Sequence, residues 1–407
     1  MDGEAYHFGQ QQECRADSRK GTLMKRTRHQ QGYIYKKGNL WMLRYYDNQQ
    51  MPDGSITRVQ KARKLVEAIG EYRTKAAARK LAEEQLEPVN DSRTTPQSVM
   101  SLERLVEGCY LPSIEKQKRV STFHGYRNLW KSYLKPHGAL ALRDFTTMDG
   151  ERILTEIAET HDLSKTTLQH IKAFMSGVFR YAKRQGLIRF QNPMYDTVLP
   201  SARAAADTYA YSFEEITQML KVLPEPAATI VAAAAYTGAR KGELRGFRWA
   251  DYDGKQLRIA QSYWRSHRQE PKTRKSRAPV PVIKQLAERL NLHREASGSS
   301  GDGLVFQSIA GKPLNLDALA VDVIRPALKK CGVEWHGWHA FRRGLATDLH
   351  RIGVSDGTIQ RILRHSTVAV TQNCYIKTAD ADAVEAMQVL ENAPSMHLGS
   401  AKQRWTM

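Results

Sequence analysis

Side-chain polarity changes its period twice along this chain. Residues 32–36 and 40–46 alternate apolar and polar positions around Lys37-Gly38-Asn39, as the two arms of a hairpin do. Asp53-Gly54 marks a second turn, and 56–65 reads as a third strand. Thr74 then caps an Ala-rich helix expected to end near Leu86. Together these predict a small three-stranded sheet with one helix across a face. Residues 87–99 have the composition of a linker.

From 101 to 193 the period becomes that of a helix. Phe123, Tyr126, Trp130 and Tyr133 form one apolar stripe, and Leu168, Ile171, Met175 and Val178 form another. Both stripes are expected in the core of a helical domain. A second linker spans roughly 194–210. Ser212-Phe213-Glu214-Glu215 is a capping-box pattern opening a third, mainly helical region, with a strand pair expected around 256–259 and 277–281. A last amphipathic segment carries Val384, Met387 and Leu390 ahead of a polar tail. The predicted fold class is mainly α with small β elements (α+β).

Length and charge narrow the function. With 407 residues, two or three domains are expected, and 41% hydrophobic content suffices for packed cores. Lys plus Arg number 62 against 42 for Asp plus Glu, a formal charge of +20 that attracts a polyanion over long range. Nucleic acid is the best candidate and an anionic membrane surface the alternative. No apolar run approaches a membrane span and the polar N-terminus lacks a signal-peptide core, so a cytoplasmic location is expected. The arm 1–30 ends in the basic run Lys25-Arg26-Thr27-Arg28. Arg58, Lys61, Arg63 and Lys64 lie on the third strand, where they can face a DNA groove. Lys118, Arg119 and Lys131 surround the first helical stripe. The four cysteines lack the paired spacing of zinc or disulfide frameworks and are expected as free thiols.

The candidate chemistry lies towards the C-terminus. His339 and Arg342 share a helix face in Trp-His-Ala-Phe-Arg-Arg, His365 stands in Leu-Arg-His-Ser-Thr, and Tyr375 follows in Asn-Cys-Tyr-Ile-Lys. Attack on a phosphodiester builds negative charge on the non-bridging oxygens. Without a metal, two guanidinium groups can hold that charge in bidentate forks. Arg342 is one candidate and Arg240, in Tyr-Thr-Gly-Ala-Arg-Lys-Gly-Glu, is the other. Lys272, in a basic run beside a predicted strand, can protonate a leaving oxygen. The histidines can hydrogen-bond phosphate or help deprotonate Tyr375. His336 and His339 look like paired metal ligands, but no third ligand has convincing spacing, so neither metal nor cofactor is expected.

Thr237-Gly238-Ala239-Arg240 with Glu243, then Lys272, His339-x-x-Arg342, His365 and Tyr375, resembles the tyrosine recombinases, or phage-type integrases, in identity and order. The resemblance implies an arm-type DNA-binding domain at 31–88, a helical core-binding domain at 98–200, a mixed, mostly helical catalytic domain at 208–395 and a tail at 396–407. It implies that Tyr375 bonds covalently to a DNA 3′ phosphate and frees a 5′ hydroxyl. Arg240 and Arg342 would clamp the phosphate, and Lys272 would protonate the 5′ oxygen. His339 would assist acid–base chemistry, His365 would hydrogen-bond the phosphate, and Glu243 would orient Arg240. Double-stranded DNA, a homotetramer on that DNA and accessory DNA-bending proteins are the implied partners, in a bacterial host cell, with a phage or other mobile element as the carrier.

Two positions depart from the family pattern. Arg364 stands where glycine is usual, and the interval from His365 to Tyr375 is one residue longer, with 366–370 the expected place for its absorption. A topoisomerase or resolvase activity, and a DNA-binding regulator without cleavage, are the competing readings.

Overall fold

The computed structural model describes residues 29–91, 95–204, 208–270, 278–298 and 301–375, the side chains of 373–375 excepted. Lys272, most of the basic arm, and Val384, Met387 and Leu390 lie outside the described residues. The chain divides into two compact units, Met1–Ala206 and Asp207–Met407.

The first unit opens with an antiparallel sheet in the order β1 (Tyr33–Lys37), β2 (Leu40–Gln50), β3 (Ile56–Glu67). Trp41, Leu43, Tyr45 and Asp47 alternate onto one buried face of β2. Ala78, Ala82 and Leu86 of α1 (Lys75–Asn90) join the same core. The Thr74 hydroxyl caps α1 by accepting from the Ala77 N–H at 3.3 Å. The helix continues past its expected end and takes in Pro88. Packing of Leu86 and Val89 on the sheet core outweighs the ~3 kcal/mol propensity cost of an internal proline.

Register separates the four basic residues of β3, which the sequence reading treated as one set. Lys61 pairs with Tyr45 and Arg63 with Leu43, so both share the helix-side face. Lys61 there bonds Asp47 at 3.0 Å. Arg58 pairs with Asn48 and Lys64 with Met42, in the register that holds until the shift between Met42 and Trp41. These two lie on the opposite face with Tyr33, Tyr35, Arg44 and Tyr46, where Arg58 lies over the Tyr46 ring and Arg44 over the Tyr35 ring.

The rest of this unit is helical: α2 (Leu102–Leu105), α3 (Leu111–Gln117), α4 (Val120–Leu129), α5 (Thr147–His161) and α6 (Lys165–Arg184). Leu168, Ile171, Met175 and Val178 are fully buried, each contributing about 1.5–3 kcal/mol by removal from water. Trp130 is buried as expected, while Phe123, Tyr126 and Tyr133 pack from the edge of the core. Lys118 and Lys131 are exposed and Arg119 half-buried. Arg143 grips Asp47 through both carboxylate oxygens at 2.8 and 2.9 Å, a fork between the helical part and the sheet. Cys331 is a free thiol, but Cys109 is disulfide-bonded, which corrects the expectation of free cysteines throughout.

The second unit begins with α7 (Phe213–Val222), whose capping box is the expected one: the Ser212 hydroxyl accepts from the Glu215 N–H, and Glu215 accepts from the Ser212 N–H. Then come α8 (Ala227–Thr237), α9 (Lys241–Leu244), β4 (Gln256–Arg258), β5 (Ser262–Trp264), β6 (His267–Gln269), β7 (Pro279–Pro281) and α10 (Lys284–Ala296). They are followed by α11 (Leu316–Leu319), α12 (Arg325–Leu328), α13 (Trp338–Arg351), α14 (Asp356–Leu363) and α15 (Val368–Tyr375). The expected strand pair is β4 with β7; the β5–β6 hairpin has no counterpart in the sequence reading. Helix α8 is buried nearly all round, its alanines allowing close approach of α13 and α10. A smaller apolar cluster of Ala346, Ile359 and Leu363 holds α13 against α14, with Val370 of α15 packed on it. No described helix is long and apolar enough to cross a membrane.

Candidate active site

The end of α8 is shaped to deliver Arg240. The Thr237 hydroxyl donates to the Ala233 carbonyl at 2.5 Å and accepts from the Ala239 N–H at 3.2 Å. Gly238 closes the helix at φ 58°, and a Cβ there would stand 2.5 Å from Leu363 Cδ2. Conformation and space both demand glycine. Arg240 then starts α9, and Glu243 reaches back to accept from its backbone N–H at 3.0 Å and its guanidinium at 2.8 Å. The Arg240 side chain remains 37% exposed.

Arg342 comes from the first half of α13 and is fully buried. It donates through Nη1 to the Gly238 carbonyl at 2.6 Å, through Nη2 to the Leu363 carbonyl, and through Nε to His365 Nε2 at 3.2 Å. One guanidinium thus ties the ends of α8 and α14 to α13. Because Arg342 is always a donor, His365 Nε2 must accept, which places the imidazole proton on Nδ1. Nδ1 lies 2.8 Å from the hydroxyl of buried Thr371, so that bond runs from Nδ1–H to Thr371. Gly344, further along α13, lies so close to Tyr211 that a Cβ would stand 2.1 Å from its carbonyl oxygen, which fixes the seat of this helix.

Arg364 ends α14 in the left-handed conformation, φ 58° and ψ 41°. Glycine is favoured there for steric reasons. Its side chain turns inward, is wholly shielded from solvent, and donates to Glu243 at 2.8 Å. Glu243 therefore lies between two guanidiniums. Burial pushes its carboxyl up, but Arg364, Arg240 and Arg342 outweigh burial and hold it below the usual glutamate value.

Both histidines are neutral at physiological pH. Burial, then Arg342, Arg240 and Arg364, depress His365 to about 3. His339 falls to about 4 for like reasons, burial first and then Arg342, Arg343 and Arg240, although its ring keeps a solvent-exposed side. Unfolding returns His365 to an ordinary pKa near ~6.5. Stability from the neutral imidazole is therefore complete above about pH 6.5 and declines as pH falls towards the folded value. We expect thermal stability to fall between about pH 6.5 and 5 by up to roughly 1.4 kcal/mol per pH unit from this group. Melting curves of His365→Gln should show a shallower slope across that window; an unchanged slope contradicts the neutral assignment.

The structure brings Arg240, Glu243, His339, Arg342 and His365 together and leaves two candidates short of that. Lys272 lies outside the described residues, three positions beyond the end of β6. Tyr375 is the last residue of α15, and its side chain is outside the description. Helix α15 begins at Val368, so only Ser366 and Thr367 separate it from His365, a shorter irregular stretch than the 366–370 expected. Thr371 and Tyr375 then occupy positions one helical turn apart. Thr371 and the buried role of Arg364 went unread in the sequence. The four-residue spacing of Thr371 from Tyr375 was a visible signal for the first.

Known proteins resemble this chain in sequence and in fold. The model of the phage integrase family matches residues 209–382. A "Tyrosine recombinase XerC-like" protein of Caldanaerobacter subterraneus subsp. tengcongensis is 24% identical over 355 residues, covering 79% of this chain and 90% of that protein. The Tn1549 transposon integrase in complex with transposon right-end DNA matches with TM-score 0.59 at 18% identity, over 72% of this chain and 100% of its own. A lambda integrase tetramer bound to a Holliday junction matches with TM-score 0.54 at 17% identity, over 87% of this chain and 96% of its own. Residues 209–382 form a domain of the phage integrase family, and the chain is similar over most of its length to a tyrosine recombinase. Its activity class is site-specific DNA cleavage and rejoining.

Proposed function

We propose that this recombinase is the integrase of a phage or other mobile element, cutting and rejoining DNA through a 3′-phosphotyrosyl bond on Tyr375. The observation that carries the site assignment is the convergence of Arg240, His339, Arg342 and His365, drawn from three separate helical regions, around buried Glu243. Arg240 offers the solvent-facing guanidinium for the scissile phosphate. Arg342 joins it when DNA enters, releasing His365 Nε2; the imidazole proton then moves from Nδ1 to Nε2, with the Thr371 hydroxyl donating to Nδ1, so that both groups donate to phosphate oxygens. Lys272 protonates the leaving 5′ oxygen. Neutral His339 accepts and returns protons at the exposed side of the site. Bond energy stored in the phosphotyrosine makes religation independent of ATP.

The outward face of the N-terminal sheet supports a DNA-binding role for residues 31–88, with Arg58 and Lys64 facing the duplex and Lys61 retained by Asp47. The helical region 98–200 binds core DNA with Lys118, Arg119 and Lys131, and residues 208–395 form the catalytic domain. Four copies assemble on two duplexes in the bacterial cytoplasm, with accessory DNA-bending proteins. The transposon and lambda integrases among the structural matches support a mobile-element carrier. The XerC-like relative favours a second reading, resolution of a single replicon.

Incubation with a nicked suicide duplex carrying the attachment site tests the chemistry. The protein is expected to form a denaturation-resistant DNA adduct. Absence of an adduct at every salt concentration overturns the enzymatic assignment. Recombination between two separate attachment sites supports the integrase, and reaction only within one replicon supports the resolvase.

A further inference from the structure

Arg364 has no part in the chemistry described so far, yet its environment is unusual. A non-glycine residue accepts a left-handed backbone, and a guanidinium is buried completely, to reach one carboxylate. Its Nη2 donates to Glu243 Oε2 at 2.8 Å and its Nη1 to the Ile362 carbonyl at 3.2 Å, while Nε is buried without a partner among the described residues. Burying an ionised group is costly unless it is paired, and a left-handed backbone adds to that cost. The opposing gain lies in Glu243, whose other oxygen holds the Arg240 guanidinium at 2.8 Å.

Charge sharpens the argument. Arg240 and Glu243 alone form a neutral pair, so the carboxylate that orients Arg240 also offsets its positive charge. With Arg364 on the far side of the carboxylate, the group of three carries a net positive charge. Arg240 is the member open to solvent, so that charge is available where a phosphodiester would approach.

We propose that Arg364 is a positioning residue that acts through Glu243, fixing the Arg240 guanidinium and restoring net positive charge to the Arg240–Glu243 pair. The inference rests on reading Arg240 as a phosphate-binding group. Arg364 does not itself touch DNA.

The test compares full-length wild type, Arg364→Gly, Glu243→Gln and the double variant. Each is measured for DNA affinity, for the single-turnover rate of adduct formation on the suicide duplex, and for thermal stability. Glycine suits the backbone at this position, so the Arg364→Gly variant is expected to fold. Its adduct rate should fall about 10- to 100-fold, the scale of a small misplacement of a catalytic group, with DNA affinity changed less than about threefold. Millimolar guanidinium, filling the vacated space, should restore part of the rate, as should Arg364→Lys. The double variant should be little slower than Glu243→Gln, because both changes break the same link.

A wild-type rate in Arg364→Gly overturns the proposal, as does additive loss in the double variant. If Arg364→Gly proves unstable, the Arg364→Lys rate decides: a folded lysine variant as slow as Glu243→Gln, and without guanidinium response, also overturns it. Failure of the wild type to form any adduct would instead count against the enzymatic reading on which this inference rests.

Discussion

Replacing Arg342 with alanine is expected to damage both stability and cleavage, whereas replacing Arg240 should damage cleavage alone. Arg342 is fully buried, and its loss leaves the Gly238 and Leu363 carbonyls and His365 Nε2 without their donor, beside a cavity. Unsatisfied buried acceptors cost about 1–3 kcal/mol each, so three of them with a cavity cost at least about 3 kcal/mol. For a unit of this size that lowers the melting temperature by roughly 10 °C. The adduct rate should fall by about 10²–10³ even well below the new melting point, through loss of a charge-stabilising donor. Arg240→Ala should show a comparable rate loss with little change in melting, because its side chain is 37% exposed and Arg364 still pairs Glu243. DNA affinity should stay nearly intact in both. Equal melting shifts for the two variants would contradict the division of labour, and a parallel loss of affinity would count against phosphate clamping.

Tyr375→Phe should lose the adduct entirely while binding DNA with wild-type affinity. Phenylalanine keeps the ring and removes only the oxygen that would bond to phosphorus. Tyr375 is the single tyrosine after His365, so no second phenol can substitute on that segment. Gel-shift affinity and adduct formation measured on the same duplex separate the two functions. Adduct persisting in the phenylalanine variant would transfer the nucleophile elsewhere.

Much of this was readable in the chain because local rules and global packing agreed. The hairpin turn at Lys37-Gly38-Asn39, the Thr74 cap, the Ser212 capping box and the buried stripe from Leu168 to Val178 are all signals that act within a few residues. The helix past Pro88 was missed because a tertiary contact at Leu86 and Val89 overrode a local helix-breaking signal. The β5–β6 hairpin was missed because strands of three residues carry too little alternation to detect.

Site residues showed the same division. Arg240, Glu243, His339, Arg342 and His365 were named by type and order, and Glu243 was paired with Arg240, but the partners of Arg342 and His365 were not. That Arg342 would donate to two main-chain carbonyls depends on where α8 and α14 end in space. Arg364 was noticed as a charge in a glycine position. That it turns inward to Glu243, 121 positions earlier, is a long-range contact with no local signature.

The most direct test of the account is to locate the covalent bond. Adduct trapped on a suicide duplex, trimmed with nuclease and digested with trypsin, can be sequenced by mass spectrometry. Cleavage after Arg364 and Lys377 releases a peptide from His365 to Lys377 in which Tyr375 is the single tyrosine. The account predicts a residual 3′-linked nucleotide on that peptide, at Tyr375. Nucleotide found on any other peptide, with this one unmodified, would contradict it.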